Sequence, residues 1–207
     1  MELLRKIINA LLLVFVTSLS GYAQDFALKK DAFQKSYIQE ATGEYLGAIK
    51  SLKDVYDEKS YELNLRLGWL NYSIGNFTES KAYYSRAVSL MPYAIESRLG
   101  LVYPLAAVGS WSEVIGQYDK ILEITPNNTL VMHRLGLIYY GRGDYEEARK
   151  LFEKVVNLYP FDYDSLTMLA WTYFKLNNMR EAKVLFQKAL LNTPNGTSAI
   201  EGLDLLK

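Results

Sequence analysis

The sequence predicts an all-α fold, an α-solenoid of stacked antiparallel helix hairpins, and three observations carry the prediction. Four of the five prolines, Pro92, Pro126, Pro160 and Pro194, recur at a single period of 34 residues. Apolar and small residues recur in register with them. Each interval also holds a glycine or asparagine near its middle, so it reads as two short helices and a stop.

At the N-terminus, Met1 to Lys6 carry charge, and Ile7 to Leu19 form an apolar run of 13 residues. Such a run is short for a membrane span and suits the core of a secretory signal. Gly21 and Ala23 supply the small residues that precede a cut, so cleavage is expected after Ala23. The expected product is exported, periplasmic or secreted, with no membrane span once the signal is removed. Retention of the run as an anchor is the alternative. The chain has no cysteine, which leaves no disulfide framework, no thiolate metal site and no lipid-bearing cysteine. Residues 24–30 read as an N-terminal tail.

Setting each recurring proline at position 32 defines units at 61–94, 95–128, 129–162 and 163–196. Position 7 is then Leu67, Leu101, Leu135 and Leu169, and position 8 is Gly68, Val102, Gly136 and Ala170. Position 15 is Gly75, Gly109, Gly143 and Asn177; position 24 is Tyr84, Tyr118, Phe152 and Phe186. Small residues at positions 8 and 20 let the two helices of a hairpin approach. The position-15 residue stands where the first helix ends and a left-handed backbone is needed. Proline at position 32 ends the second helix. A lone hairpin leaves apolar faces uncovered, so stacking is required.

These columns resemble the tetratricopeptide repeat (TPR). The third unit carries Leu135, Gly136, Tyr139, Ala148, Phe152 and Pro160, and the fourth carries Leu169, Ala170, Tyr173, Ala182, Phe186, Ala189 and Pro194. The second unit departs with Leu105 and Val114, the first with Asn71 and Ser80. The resemblance covers residues 31 to 207 and implies a right-handed TPR array acting in protein interaction. Upstream, Gly43 and Ala48 match positions 15 and 20, but the register is two residues short and Ser60 replaces the proline, so 31–60 is expected as an irregular hairpin. Residues 197–207 restart the pattern with Ile200 and Leu203 and are expected as a C-terminal cap helix.

Composition narrows the function. Lys+Arg and Asp+Glu both number 23, which gives no basic excess for nucleic acid. His133 is the single histidine, and no phosphate loop or nucleophile elbow is present. No catalytic residue, metal ligand or cofactor is therefore assigned, and the expectation is a non-enzyme. Glu146 and Glu147 read as an acidic helix start. Arg142-Gly143-Asp144 reads as an inter-helix turn, not an adhesion tripeptide.

The informative face lies on the first helix of each unit. At about 100° per residue, positions 4, 7, 8 and 11 share the packing sector, while 2, 5, 9, 12 and 13 point the other way. Position 9 is Trp69, Tyr103, Leu137 and Trp171; position 12 is Tyr72, Ala106, Tyr140 and Phe174. In TPR arrays this side lines the concave groove. Trp and Tyr dominate binding hot spots, so the expected partner is a protein or peptide segment bound through these rings. Arg66, Arg134, Asp164 and Lys175 stand as polar edges. The Lys and Asn residues that resemble a terminal-carboxylate clamp are missing. A structural subunit that self-associates through the same face, as a homo-oligomer, is the alternative. A bacterial cell-envelope or secretion assembly is the expected setting.

Overall fold

The computed structural model describes residues 25–207. The expected signal segment, residues 1–23, lies outside the described residues. Within them the chain is all-α. It holds α1 (25–41), α2 (Tyr45–Lys53), α3 (Tyr61–Ser73), α4 (Phe77–Leu90), α5 (Ile95–Ala107), α6 (Trp111–Ile124), α7 (Thr129–Arg142), α8 (Tyr145–Leu158), α9 (Tyr163–Lys175), α10 (Met179–Asn192) and α11 (Thr197–Asp204). The first helices begin at positions 61, 95, 129 and 163, and the second helices at 77, 111, 145 and 179, as the period requires. The expected tail is corrected: residues 25–30 are the first turns of α1. The chain divides after Ser110 into two compact units, the first holding α1–α5 and the second α6–α11.

The turn inside each hairpin obeys one backbone rule. Gly43, Gly75, Gly109 and Gly143 have φ between 72° and 84°, and Asn177 is the one other positive-φ residue among those described, at 64°. At Gly143 the amide donates to Tyr140 O at 3.1 Å and the next amide, of Asp144, reaches back to Tyr139 O at 2.9 Å. That pair of bonds is the Schellman closure of a helix. At the other end of each hairpin, α4, α6, α8 and α10 stop two residues before Pro92, Pro126, Pro160 and Pro194.

Departures from the repeat columns are absorbed locally. Ser80 is fully buried and donates its hydroxyl to Gly68 O at 2.8 Å, across the hairpin. Asn71 donates its amide to Leu67 O at 2.8 Å. Both of these buried polar groups thus keep a partner. Helices α3, α7 and α9 start on side-chain caps from Ser60, Asn128 and Asp162. Helix α5 starts at Ala94 without a side-chain cap and contains Pro104.

In the second unit, Phe152 and Phe186 are fully buried among Ala148, Leu166, Leu169, Ala170, Ala182 and Ala189. In the first, Leu52, Leu63, Leu67 and Leu70 are fully buried beside Ala32, Ala48 and Ile49. Each such large side chain contributes about 1.5–3 kcal/mol by leaving water. The position-24 ring sits where first helices nearly touch. A Cβ on Gly68 of α3 would lie 2.9 Å from the Tyr84 ring, and one on Gly100 of α5 would lie 2.1 Å from it. Tyr84 is therefore pinched between two helices.

Two alanine substitutions of opposite sign follow. Gly100→Ala should destabilise the chain by about 1–3 kcal/mol through overpacking. Gly116→Ala, in α6 with no heavy atom within 4 Å of the added carbon, should stabilise it by about 0.5–1 kcal/mol. Urea unfolding of both variants measures the signs.

Candidate partner-binding cleft

In the first unit, one face of α3 and α5 opens into a cleft of about 980 Å³ with α1 as its far wall. Its lining comes from positions 1, 2, 5, 6 and 9 of α3 (Tyr61, Glu62, Leu65, Arg66, Trp69) and 2, 5, 6 and 9 of α5 (Glu96, Leu99, Gly100, Tyr103). Phe33 and Tyr37 of α1, with Tyr84 and Met91, complete it. Trp69 and Tyr103 remain 38% and 37% exposed. Their rings belong to one ladder: Trp69 lies 6.4 Å from Tyr103, Tyr103 lies 5.3 Å from Tyr72, and Tyr72 lies 5.8 Å from Phe77, centroid to centroid. Tyr72 is half-buried within the ladder, and its role is to brace the two rings that face the cleft.

The polar edge expected at Arg66 is corrected. Arg66 is 9% exposed and ion-pairs with Glu40 of α1 at 2.5 Å. Its guanidinium also donates to the Ser36 hydroxyl and carbonyl, both at 3.3 Å, and lies 4.0 Å from the centre of the Tyr37 ring. The indole N–H of Trp69 donates to the other oxygen of Glu40. Burial alone would raise the Glu40 carboxyl, but these two donors hold it below its ordinary value. Arg66 and Glu40 thus fasten α1 to α3, and α1 in turn walls the cleft.

The second unit presents the other expected residues differently. Leu137 is 43% exposed and shares an apolar notch of about 430 Å³ with Trp111, Ile138, Gly141 and Arg142. Tyr140 is half-buried, edge-on to Tyr145 at 5.4 Å. Trp171 and Phe174 are corrected from solvent-facing to packed residues. The Trp171 ring meets Phe186 at 5.0 Å and Phe174 at 5.6 Å, and its indole donates to the Ser198 hydroxyl of α11 at 2.8 Å. Helix α11 therefore covers the part of the face where a partner was expected. Lys175 stays exposed, and Arg134 lines a polar recess with His133, Asp162 and Asp164.

His133 lies edge-on to Phe152 at 5.5 Å, and its Nε2 is buried with no hydrogen-bond partner. Desolvation lowers its pKa from the ordinary 6.5, against Asp162 and Asp164, with Arg134 adding to the lowering.

Several lining residues were not legible as such. Phe33 and Tyr37 sit on α1, which lacks the repeat columns, although their spacing of four with Ser36 and Glu40 marks one helix face. Tyr84 was legible only as a packing column. Tyr84 lines the cleft, whereas Phe152 and Phe186 in the same column are fully buried and lack its hydroxyl.

Comparison with known proteins agrees with the architecture. Residues 61–92 and 128–190 each match a model of the tetratricopeptide repeat, so the chain carries such repeats. The stretch between them holds uncapped α5 and Pro104. A curated relative, the TPR repeat-containing thioredoxin TTL4 of Arabidopsis thaliana, is 28% identical over 108 residues, which is 52% of this chain and 15% of that protein. Among solved structures, the MamA protein superposes with a TM-score of 0.70 at 20% identity, covering 80% of this chain and 91% of that one. A tetratricopeptide repeat protein from Parabacteroides merdae gives 0.75 at 20% identity, covering 87% and 72%. At these identities the likeness establishes the fold, an all-α array of tetratricopeptide hairpins.

Two outcomes test the site's frame. Glu40→Ala should cost roughly 2–3 kcal/mol, because Arg66 keeps its burial and loses its counter-charge, while Glu40→Gln should cost less. Chemical denaturation compares the two. For His133 the folded state binds its proton less readily than the unfolded state, so this residue's share of stability is present above pH 6.5 and is lost as pH falls towards the lowered value. Melting curves of His133→Phe should show a flatter pH dependence in that window than those of the parent.

Proposed function

We propose that the chain is a non-catalytic interaction scaffold that captures an extended segment of a partner protein in the cleft of its first unit. The observation that carries this reading is the cleft itself: about 980 Å³ of space between helices already braced by burial, with Trp69 and Tyr103 facing into it. Exposed aromatic rings on a rigid frame offer large contact area at little ordering cost. Tetratricopeptide repeats are scaffolds of protein interaction in general, which supports the class of function. No cofactor or metal enters this reading.

The setting we propose is the exported compartment, in a cell-envelope or secretion assembly. The apolar run at residues 7–19 followed by Gly21 and Ala23 supports it. None of the described helices is long and apolar enough to cross a membrane.

One experiment addresses partner and location together. Benzoylphenylalanine placed at Leu65 or Leu99, both on the cleft wall, should crosslink a partner in the native host. The same group at Glu79, exposed on α4, should not. Trp69→Ala should reduce the cleft crosslink at least tenfold. Equal labelling from both faces would sink the cleft reading, and an adduct with a second copy of the chain would indicate self-association instead. The intact mass of the recovered protein reports whether residues 1–23 are removed.

A further inference from the structure

The cleft is not neutral, and its charge selects among segments. Three charged side chains line it: Glu62, Arg66 and Glu96. Arg66 is already matched by Glu40 at 2.5 Å and stacked on Tyr37, so its charge is spent within the wall. Glu62 and Glu96 occupy position 2 of α3 and α5 and are both exposed. Glu62 accepts the Ser60 hydroxyl at 2.9 Å, and Glu96 accepts the Tyr61 hydroxyl at 3.4 Å. These are neutral donors that leave each carboxylate its charge. Their place in the first turn also suits the helix dipole, an effect that leaves their outer oxygens available.

Tyr84 supplies a second, independent feature. It is 4% exposed and is one of the residues that line the cleft. Burial pushes its hydroxyl well above the ordinary tyrosine range, so it stays neutral and its oxygen remains an acceptor. Two carboxylates, a buried phenol and the faces of Tyr61, Trp69 and Tyr103 form an acceptor-rich, aromatic surface. That is the complement of a guanidinium or ammonium group, which gains from both carboxylate pairing and ring stacking. The wall contains an internal example, since Arg66 itself lies between a ring and a carboxylate.

The geometry points to a partner segment with one basic side chain, arginine above lysine, seated between Glu62 and Glu96 against the Tyr61 ring, and with apolar residues over the Trp69 and Tyr103 rings about two turns further along α3 and α5. Arginine is favoured because its planar fork stacks on aromatic faces while pairing at its edges. This rests on the cleft being the docking site proposed above.

The test uses the purified chain and three dye-labelled hexapeptides of leucine, phenylalanine and serine, identical except for a central arginine, citrulline or glutamate. Fluorescence anisotropy at low salt should rank arginine about tenfold tighter than citrulline, with glutamate weakest. In the double variant Glu62→Gln, Glu96→Gln, the preference for arginine over citrulline should fall to within about twofold. Because citrulline removes charge from the ligand with no change to the protein, a folding defect cannot imitate the first result. Equal binding of all three peptides, lost in Trp69→Ala, would overturn the charge selection and leave the cleft reading standing. Binding that survives Trp69→Ala, or no binding by any peptide, would overturn both.

Discussion

On α4, α8 and α10 a ring of the second helix wedges against neighbouring helices stripped of side chain at a glycine, and this contact limits how close those helices come. Tyr84 against Gly68 and Gly100, Phe152 against Gly136, and Phe186 against Gly202 all show approaches that a single added carbon would forbid. In the first unit this contact also borders the cleft, whose lining includes Tyr84 and Gly100 beside positions 2, 5 and 9 of α3 and α5. The same contact thus belongs both to the packing of the array and to the wall of the opening in it.

Helix α1 walls one side of that opening. It lies outside the 34-residue period, yet Glu40 ties it to both Arg66 and Trp69, and its Phe33 and Tyr37 close one side. Burying an arginine requires a partner with good geometry. Here the carboxylate, a hydroxyl, a carbonyl and a ring face together supply it. The indole donor of Trp69 is committed to the same carboxylate, so the ring offers the cleft its face and not its N–H.

The periodic part of the molecule was legible from residues alone. Helix starts at Tyr61, Ile95, Thr129 and Tyr163, stops before each recurring proline, and left-handed turns down to Asn177 all follow from columns that repeat because the same backbone problem recurs. The site was legible in its columns and not in its occupancy. Position 9 marks Trp69, Tyr103, Leu137 and Trp171 alike, but Trp171 donates to Ser198 of α11, a cap helix whose existence Ile200 and Leu203 announced and whose contact with Trp171 they did not. Arg66 looked like an outward charge because position 6 borders the two sectors. Its burial depends on Ser36, Tyr37 and Glu40, some 30 residues upstream on a helix with no repeat of its own. Long-range pairing of singular residues has no periodic signature.

The recess at Tyr84 bears on how such arrays can be redesigned. A consensus array built from the repeat columns would keep Gly at the pinch, an aromatic at position 24 and proline at position 32, and it would stack as well as this one or better. It would also erase what distinguishes the first unit. The wall residues Phe33 and Tyr37 lie outside any column, and Ser80 and Asn71 are polar substitutes in the same neighbourhood. In this chain the scaffold resides in what repeats, and the far wall of the cleft resides in the exceptions.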